Sequence, residues 1–269
     1  MKKFAAFMLT LVMLLALCAC GAEKEPEKDP EQGGEEAAFT TVQSGKLLMG
    51  TNATFPPYEF VSDEDSTTIV GIDAEIAAKI AEKLGLELVI EDMEFNSIVT
   101  AVQTGKIDIG MAGMTVNEDR LKNVNFTASY AKGVQAIIVS NGSPITCADD
   151  LSADGADYMI GVQESTTGHL YAEDEFGADH VVAVANGALA VEALKAGKVD
   201  CVIIDNEPAK AYVAANEGLS VLDTSYTDED YAIAVSKDND PLLEAVNTAL
   251  KELIADGTVK TIIDKYIAA

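Results

Sequence analysis

Of the 18 basic side chains in this chain, 17 are lysines and one, Arg120, is an arginine. Lysine suffices for surface solvation. A guanidinium does something more: its planar fork pairs with a carboxylate through two parallel hydrogen bonds. The competing reading places Arg120 on the surface of a short helix, Glu118 to Lys122, in an ion pair of little energetic value. Counting alone does not separate the two. Other reactive types offer less. The two histidines, His169 and His180, lie eleven apart among acidic neighbours, a spacing unlike the usual metal-ligand patterns. Asp63 and Asp65 occupy a polar loop without the glycine and glutamate of a calcium loop, and read as a solvated hairpin turn. Glu94 and Glu164 are candidate acids, but no pair stands out for catalysis. No G-x-S-x-G, H-E-x-x-H, Walker or G-x-G-x-x-G motif occurs. No catalytic residue, metal or cofactor is expected. Cys201 opens the apolar run Cys201–Ile204 and reads as a small buried hydrophobe, and spacing does not decide whether Cys147 bridges to it.

These side chains sit among alternating strands and helices. Lys46–Gly50, Leu86–Ile90 and Ile107–Met111 read as strands. Ile72, Ile76, Ile80 and Leu84 recur every four residues before Gly85, the pattern of an amphipathic helix with a glycine C-cap. Asn96 is placed to cap a helix that stops at Gly105. Further strands are expected over Val134–Val139, Met159–Val162, His180–Ala185 and Cys201–Ile204. Helices are expected over 167–173, 188–196 and 208–216. Asp240-Pro241 starts another helix, stopped at Gly257, and a final one carries Ile262, Ile263, Tyr266 and Ile267. Such alternation predicts mostly parallel sheets covered by helices. Two runs, 46–130 and 134–225, predict two α/β lobes, with Tyr130–Gln135 as one crossover. Ligands of open α/β sheets bind in loops at the carboxyl ends of strands.

The chain of 269 residues is 48% hydrophobic and carries 45 acids against 18 bases, a formal charge of −27. A surface so acidic repels phosphate and disfavours nucleic acid and anionic lipid as partners of the folded body. Lys2 and Lys3 precede an apolar stretch, Phe4–Leu17, that is short for a membrane span and suited to an export signal. Leu17-Cys18-Ala19-Cys20-Gly21 resembles a bacterial lipobox, with cleavage after residue 19 and lipid attachment at Cys20. Removal of Lys2 and Lys3 takes the charge to −29, from −27 − 2. Several buried acyl chains anchor stably. Residues 20–45, rich in acid and proline, read as a flexible tether.

Several motifs occur in order and spacing: Gly50-Thr51-Asn52-Ala53-Thr54-Phe55-Pro56-Pro57-Tyr58-Glu59-Phe60, Gly71-Ile72-Asp73, Gly110-Met111-Ala112-Gly113-Met114-Thr115 leading to Arg120, Gly161-Val162-Gln163-Glu164-Ser165-Thr166-Thr167-Gly168 and Ile203-Ile204-Asp205-Asn206-Glu207-Pro208. Together they resemble bacterial solute-binding proteins of family 3, which feed amino acids to ABC importers. The resemblance spans about residues 46–267. It implies a two-lobed periplasmic-binding-protein-like fold, each lobe a mostly parallel sheet with helices on both faces, joined by two hinge strands. Lobe 1 would comprise 46–131 and 232–269, and lobe 2 residues 132–231.

The resemblance also implies roles. Arg120 would grip the α-carboxylate of a free amino acid, with Thr115 and Thr166 sharing it. Asp205 would pair with the ammonium, aided by a carbonyl of Ala112 or Gly113. Each charge of a buried zwitterion needs such a partner. Phe55 and Phe95 would flank the ligand side chain, with Asn52, Met114, Gln163 and Ser165 nearby. Relatives that bind lysine or arginine often carry aspartate at the position of Asn52, so the side-chain class stays open between polar and cationic. A dehydratase-like enzyme or a sensor component on the same fold is the alternative. The expected partners are the amino acid, ABC permease subunits and, through the lipid, the outer face of the cytoplasmic membrane, with the protein itself a monomer.

Overall fold

The computed structural model describes residues 39–223 and 227–267. The leader, Cys20 and most of the tether lie outside the described residues. The body, residues 37–269, forms one compact unit built on two sheets.

The first sheet orders its strands Glu87–Asp92, Lys46–Thr51, Ile109–Gly110, Ala234–Ser236 and Val124–Phe126. The first three run parallel. Ala234–Ser236 is antiparallel to both its neighbours. The second sheet orders Val181–Val184, Ile160–Gln163, Cys201–Asp205, Ala131–Ser140 and Leu219–Val221, with Thr227–Tyr231 also paired to the long strand Ala131–Ser140. Its first three strands are parallel and the rest antiparallel. Both sheets are therefore mixed. The expected parallel cores are present, and the antiparallel strands are those next to the crossings. Strand pattern in a sequence reports which faces are buried and not which way the neighbour runs.

The chain passes between the sheets twice, after Phe126 and after Tyr231. The two passes are bonded to each other: the Thr127 N–H donates to the Ile233 carbonyl (3.1 Å) and the Tyr130 N–H to the Tyr231 carbonyl (2.9 Å).

Each sheet has helices on both faces. Ile72, Ile76 and Ile80 project from the helix Ile72–Leu84 onto Leu47, Met49 and Ile109. The terminal helices, Asp240–Ala255 and Thr258–Tyr266, add Leu242, Val246, Leu250 and Ile262 to that same core. The opposite face is covered by Phe95–Gln103 through Ile98 and Val102. In the second sheet, Gly187–Lys195 and Asn206–Ala215 cover one face and Thr167–Phe176 the other. Each fully buried aliphatic side chain contributes about 1.5–3 kcal/mol.

Gly85 ends its helix in the left-handed conformation (φ 68°) as its sequence position suggests. Asn96 does not cap: the helix begins one residue earlier, at Phe95, and Asn96 lies inside its first turn. The strand expected over Ile107–Met111 is reduced to Ile109–Gly110, and the final helix ends at Tyr266, before Ile267. The loop carrying Asp63 and Asp65 is a hairpin turn of the small sheet Thr54–Phe55, Glu59–Val61 and Ile69–Val70. There Asp65 accepts bonds from the Thr67 and Thr68 amides. Cys147 and Cys201 are both free thiols, and burial pushes the Cys201 pKa up to about 12.

Candidate functional site

Between the two sheets lies a cavity of about 440 Å3, counting the space open to solvent at its mouth.

Local capping places its polar walls. Asn117 accepts a hydrogen bond from the Arg120 amide (2.8 Å), starting the turn Glu118–Leu121. That turn swings Arg120 inward, and the side chain is buried, with 8% exposure. The surface reading of Arg120 therefore does not hold. Its Nη1 donates to the Thr115 carbonyl (2.7 Å) and its Nη2 to the Ser165 carbonyl (3.1 Å), which belongs to the other lobe's loop. The guanidinium lies 5.2 Å from the Phe95 ring centre. Burial lowers its pKa to about 10, with the Glu229 charge opposing, so it stays a cation at neutral pH.

On the facing wall, Asp205 caps the helix Asn206–Ala215 by accepting from the Glu207 amide (3.1 Å). Its Oδ2 also accepts from the Tyr231 hydroxyl (2.7 Å) and the Val134 amide (3.0 Å). Burial raises its pKa to about 6, moderated by these donors. A carboxylate has about four acceptor positions, so one remains after these three bonds.

Thr166 caps the helix Thr167–Phe176, accepting from the His169 amide. Thr166 and Thr167, at the start of that helix, line the cavity, and the free amides of a helix start suit an anion. At the other end, Gln163 Nε2 donates to Asn52 Oδ1 (3.0 Å) across the cleft, and Asn52 Nδ2 donates to the Met93 carbonyl (3.0 Å). Phe55 stacks on Tyr58 (5.8 Å between ring centres) and presents its free side to the cavity.

Of the twelve residues singled out in the sequence, Asn52, Phe55, Phe95, Ala112, Gly113, Thr115, Arg120, Gln163, Thr166 and Asp205 line this one cavity. Two do not. Met114 is fully buried in the core beneath the loop with Ile98 and Val102, because the loop alternates direction there. Ser165, held at φ 64°, turns its side chain outward and offers its carbonyl to Arg120. Thr115 also differs in detail: its hydroxyl donates to Glu229 Oε2 (2.9 Å), so that hydrogen is already committed.

The cavity has further walls absent from the sequence reading: Glu59, Gln135, Ile203, Glu229 and Tyr231 among them. Glu59 is buried next to Asp73. Burial raises both carboxyl groups, Asp73 to about 6, with their mutual contact adding to Glu59. Asp73 Oδ2 accepts from the Gly113 amide (2.8 Å) and the Tyr130 hydroxyl (2.9 Å), which pins the loop before Arg120. Glu229 was detectable. In Thr227–Tyr231, Asp228 and Asp230 are exposed while Glu229 is buried, the period-two alternation of a half-buried strand.

Two lobes meeting over a buried cation and a buried carboxylate define a cleft-type binder of small dipolar solutes. Residues 47–269 match the family model of bacterial extracellular solute-binding proteins, family 3, and the chain belongs to that family. It is 28% identical over 270 residues to the arginine-binding extracellular protein ArtP of Bacillus subtilis (strain 168), covering 99% of this chain and 98% of that protein. Among solved structures it is similar to an ancestral arginine-binding protein bound to glutamine (37% identity, TM-score 0.78, 84% of this chain and 100% of that one). It is likewise similar to the amino acid ABC transporter substrate-binding protein AbpA of Streptococcus pneumoniae bound to L-arginine (30% identity, TM-score 0.76, 82% and 94%).

Proposed function

We propose that this chain is an extracytoplasmic receptor that binds a free amino acid between its lobes and delivers it to an ABC importer. The observation that carries this is the pair of opposite buried charges, Arg120 and Asp205, on one cavity. A zwitterion brings one charge of each sign, and each needs a partner on leaving water. In this reading Arg120 takes the α-carboxylate through its unspent N–H groups, helped by the amides at Thr166. Asp205 takes the ammonium through its remaining acceptor position. Phe55 and Phe95 bracket the ligand side chain, with Asn52 and Gln163 at its end. Lobe 1 comprises 46–131 and 232–269, and lobe 2 comprises 132–231.

Export and anchoring complete the proposal. Among the described residues no helix is long and apolar enough to cross a membrane. Cleavage after residue 19 and lipidation of Cys20 would hold the receptor by its acyl chains, with residues 20–45 as spacer and the folded body a monomer.

Thermal melting against the twenty common amino acids tests the binding. A ligand present at 100 times its Kd adds about 2.7 kcal/mol to stability, a clear rise in melting temperature. If none of the twenty raises it, the receptor reading is wrong. For the anchor, Cys20→Ala should leave the protein unprocessed or shed from the membrane fraction. A processed variant that stays membrane-bound would refute lipid attachment at this residue.

A further inference from the structure

Among the described residues only two other than glycine hold a positive φ, Ser66 (56°) and Ser165 (64°). Ser66 sits in an exposed hairpin turn. Ser165 sits beside the cleft, as the third residue of the turn Gln163–Thr166, whose ends are joined by the Thr166 amide donating to the Gln163 carbonyl (3.4 Å). A positive φ at that position is ordinarily taken by glycine or asparagine, because a Cβ crowds the following carbonyl oxygen. The left-handed turn decides where the Ser165 carbonyl points, and that carbonyl accepts from Arg120 Nη2 (3.1 Å) across the cleft. An unfavourable backbone conformation persists only where its surroundings hold it.

His169 supplies a bond that holds it. From the first turn of the helix Thr167–Phe176, its Nδ1 accepts the Ser165 amide N–H (3.0 Å). Its own amide donates to Thr166 Oγ1 (3.2 Å), and that hydroxyl donates to the Gln163 carbonyl (2.8 Å). The imidazole Nε2 lies 3.2 Å from Glu173 Oε1, one turn further along the same helix. An acceptor at Nδ1 leaves the proton of a neutral imidazole on Nε2, where it faces the Glu173 carboxylate. The two contacts therefore agree on one tautomer. His169 does not line the cavity, so it acts through Ser165 and not on a ligand.

We infer that His169 is a positioning residue for ligand capture: its unprotonated Nδ1 fixes the Ser165 turn, and through the Ser165 carbonyl it fixes the Arg120 guanidinium. This rests on the amino-acid receptor reading above, in which Arg120 takes the ligand carboxylate. The competing role is purely helical, a pair between His169 and Glu173 that stabilises the helix and leaves the cleft indifferent.

Two measurements on the purified full chain separate these. The chain has only two histidines, His169 and His180, so imidazole-nitrogen NMR at mildly alkaline pH resolves both rings, with a His180→Gln variant to assign them. His169 should show a bare Nδ1 and a protonated Nε2. A proton on Nδ1 overturns the inference without any ligand being added. Calorimetry then uses whichever of the twenty common amino acids raises the wild-type melting temperature most. His169→Leu keeps bulk and has no acceptor. It should raise Kd about three- to tenfold, the worth of one neutral hydrogen bond. His169→Asn sets Oδ1 where Nδ1 stood, one bond beyond Cγ, and gives up the Glu173 contact. It should return Kd to within about twofold of the wild type. Equal Kd in the wild type and His169→Leu overturns the positioning role and leaves the receptor reading intact. An Asn variant as weak as the Leu variant overturns the Nδ1 acceptor and makes His169 a partner of Glu173 alone. If none of the twenty binds the wild type, the receptor reading fails and the inference falls with it. Should His169→Leu not fold, His169→Ala takes its place, since alanine is the residue a helix accepts most readily.

Discussion

Arg120 has five N–H donors, and the protein uses two of them, on the Thr115 and Ser165 carbonyls. Three remain for a ligand. A lysine has three in total, with no fork. Arg120→Lys should therefore weaken amino-acid binding at least about tenfold, since one charged bond is worth about 1.5–3 kcal/mol. Arg120→Ala should weaken it further and lower stability, because two buried carbonyls and Glu229 lose their cation. Calorimetry and melting read both, and an unchanged Kd in Arg120→Ala would remove Arg120 from the site. Asp205 gives a pH dependence. Its pKa in the empty protein is raised to about 6, and an ammonium needs the ionised form. Affinity should be full above about pH 6 and fall as pH drops through it, approaching tenfold per unit, a dependence that Asp205→Asn abolishes. Stability of the empty protein runs the other way. Asp73 and Asp205 both sit near 6 against about 4 unfolded, so the folded state binds more protons between those values. Their contribution is greatest at low pH and is lost as pH rises toward 6.

At the scale of elements, the loops owe their positions to caps and close approaches. Gly133, on the crossing strand, illustrates the second. A Cβ there would lie 2.5 Å from the Tyr231 ring carbon Cζ and hydroxyl. That ring is wedged edge-on against Tyr58 (5.2 Å) and bonded to Asp205, so it has nowhere to retreat. Gly133→Ala should cost about 1–3 kcal/mol in stability and weaken ligand binding by moving the donor off Asp205. Retention of both melting temperature and affinity would show that the junction is softer than these contacts imply. The helices were legible because periodicity of four and a terminal glycine or proline mark them directly, as in Ile72–Leu84 and Asp240–Ala255. The antiparallel direction of Ala234–Ser236 was not, since direction leaves no local trace in side-chain type. Arg120 stood out through scarcity. Glu229 was hidden in Thr227–Tyr231, a run that looks like a solvated acidic face until its alternation is taken seriously.

For the whole molecule, the cleft is spanned by protein-to-protein bonds. Besides Arg120 to Ser165 and Gln163 to Asn52, Asn96 Nδ2 donates to Glu164 Oε2 (3.2 Å) and the Tyr212 hydroxyl to the Thr54 carbonyl (2.5 Å). These are few; the neutral ones are worth about 0.5–1.5 kcal/mol each and those to a charged group about 1.5–3 kcal/mol. A ligand that bonds to both walls adds to them, so binding should shift the protein toward its closed form. Small-angle scattering should record a smaller radius of gyration with a bound amino acid. No change with a ligand shown calorimetrically to bind would rule out hinge closure.

The two terminal helices return to the first sheet and finish a core begun by Leu47 and Ile76. Between those contributions the chain builds the entire second sheet. During synthesis the second lobe has all its parts before the first does, and the first waits on Leu250 and Ile262. A chain exported as proposed above would gain from that schedule. Until the helices Asp240–Ala255 and Thr258–Tyr266 have emerged, the core that Ile72–Leu84 begins on the first sheet lacks Leu242, Val246, Leu250 and Ile262, and the larger core cannot close.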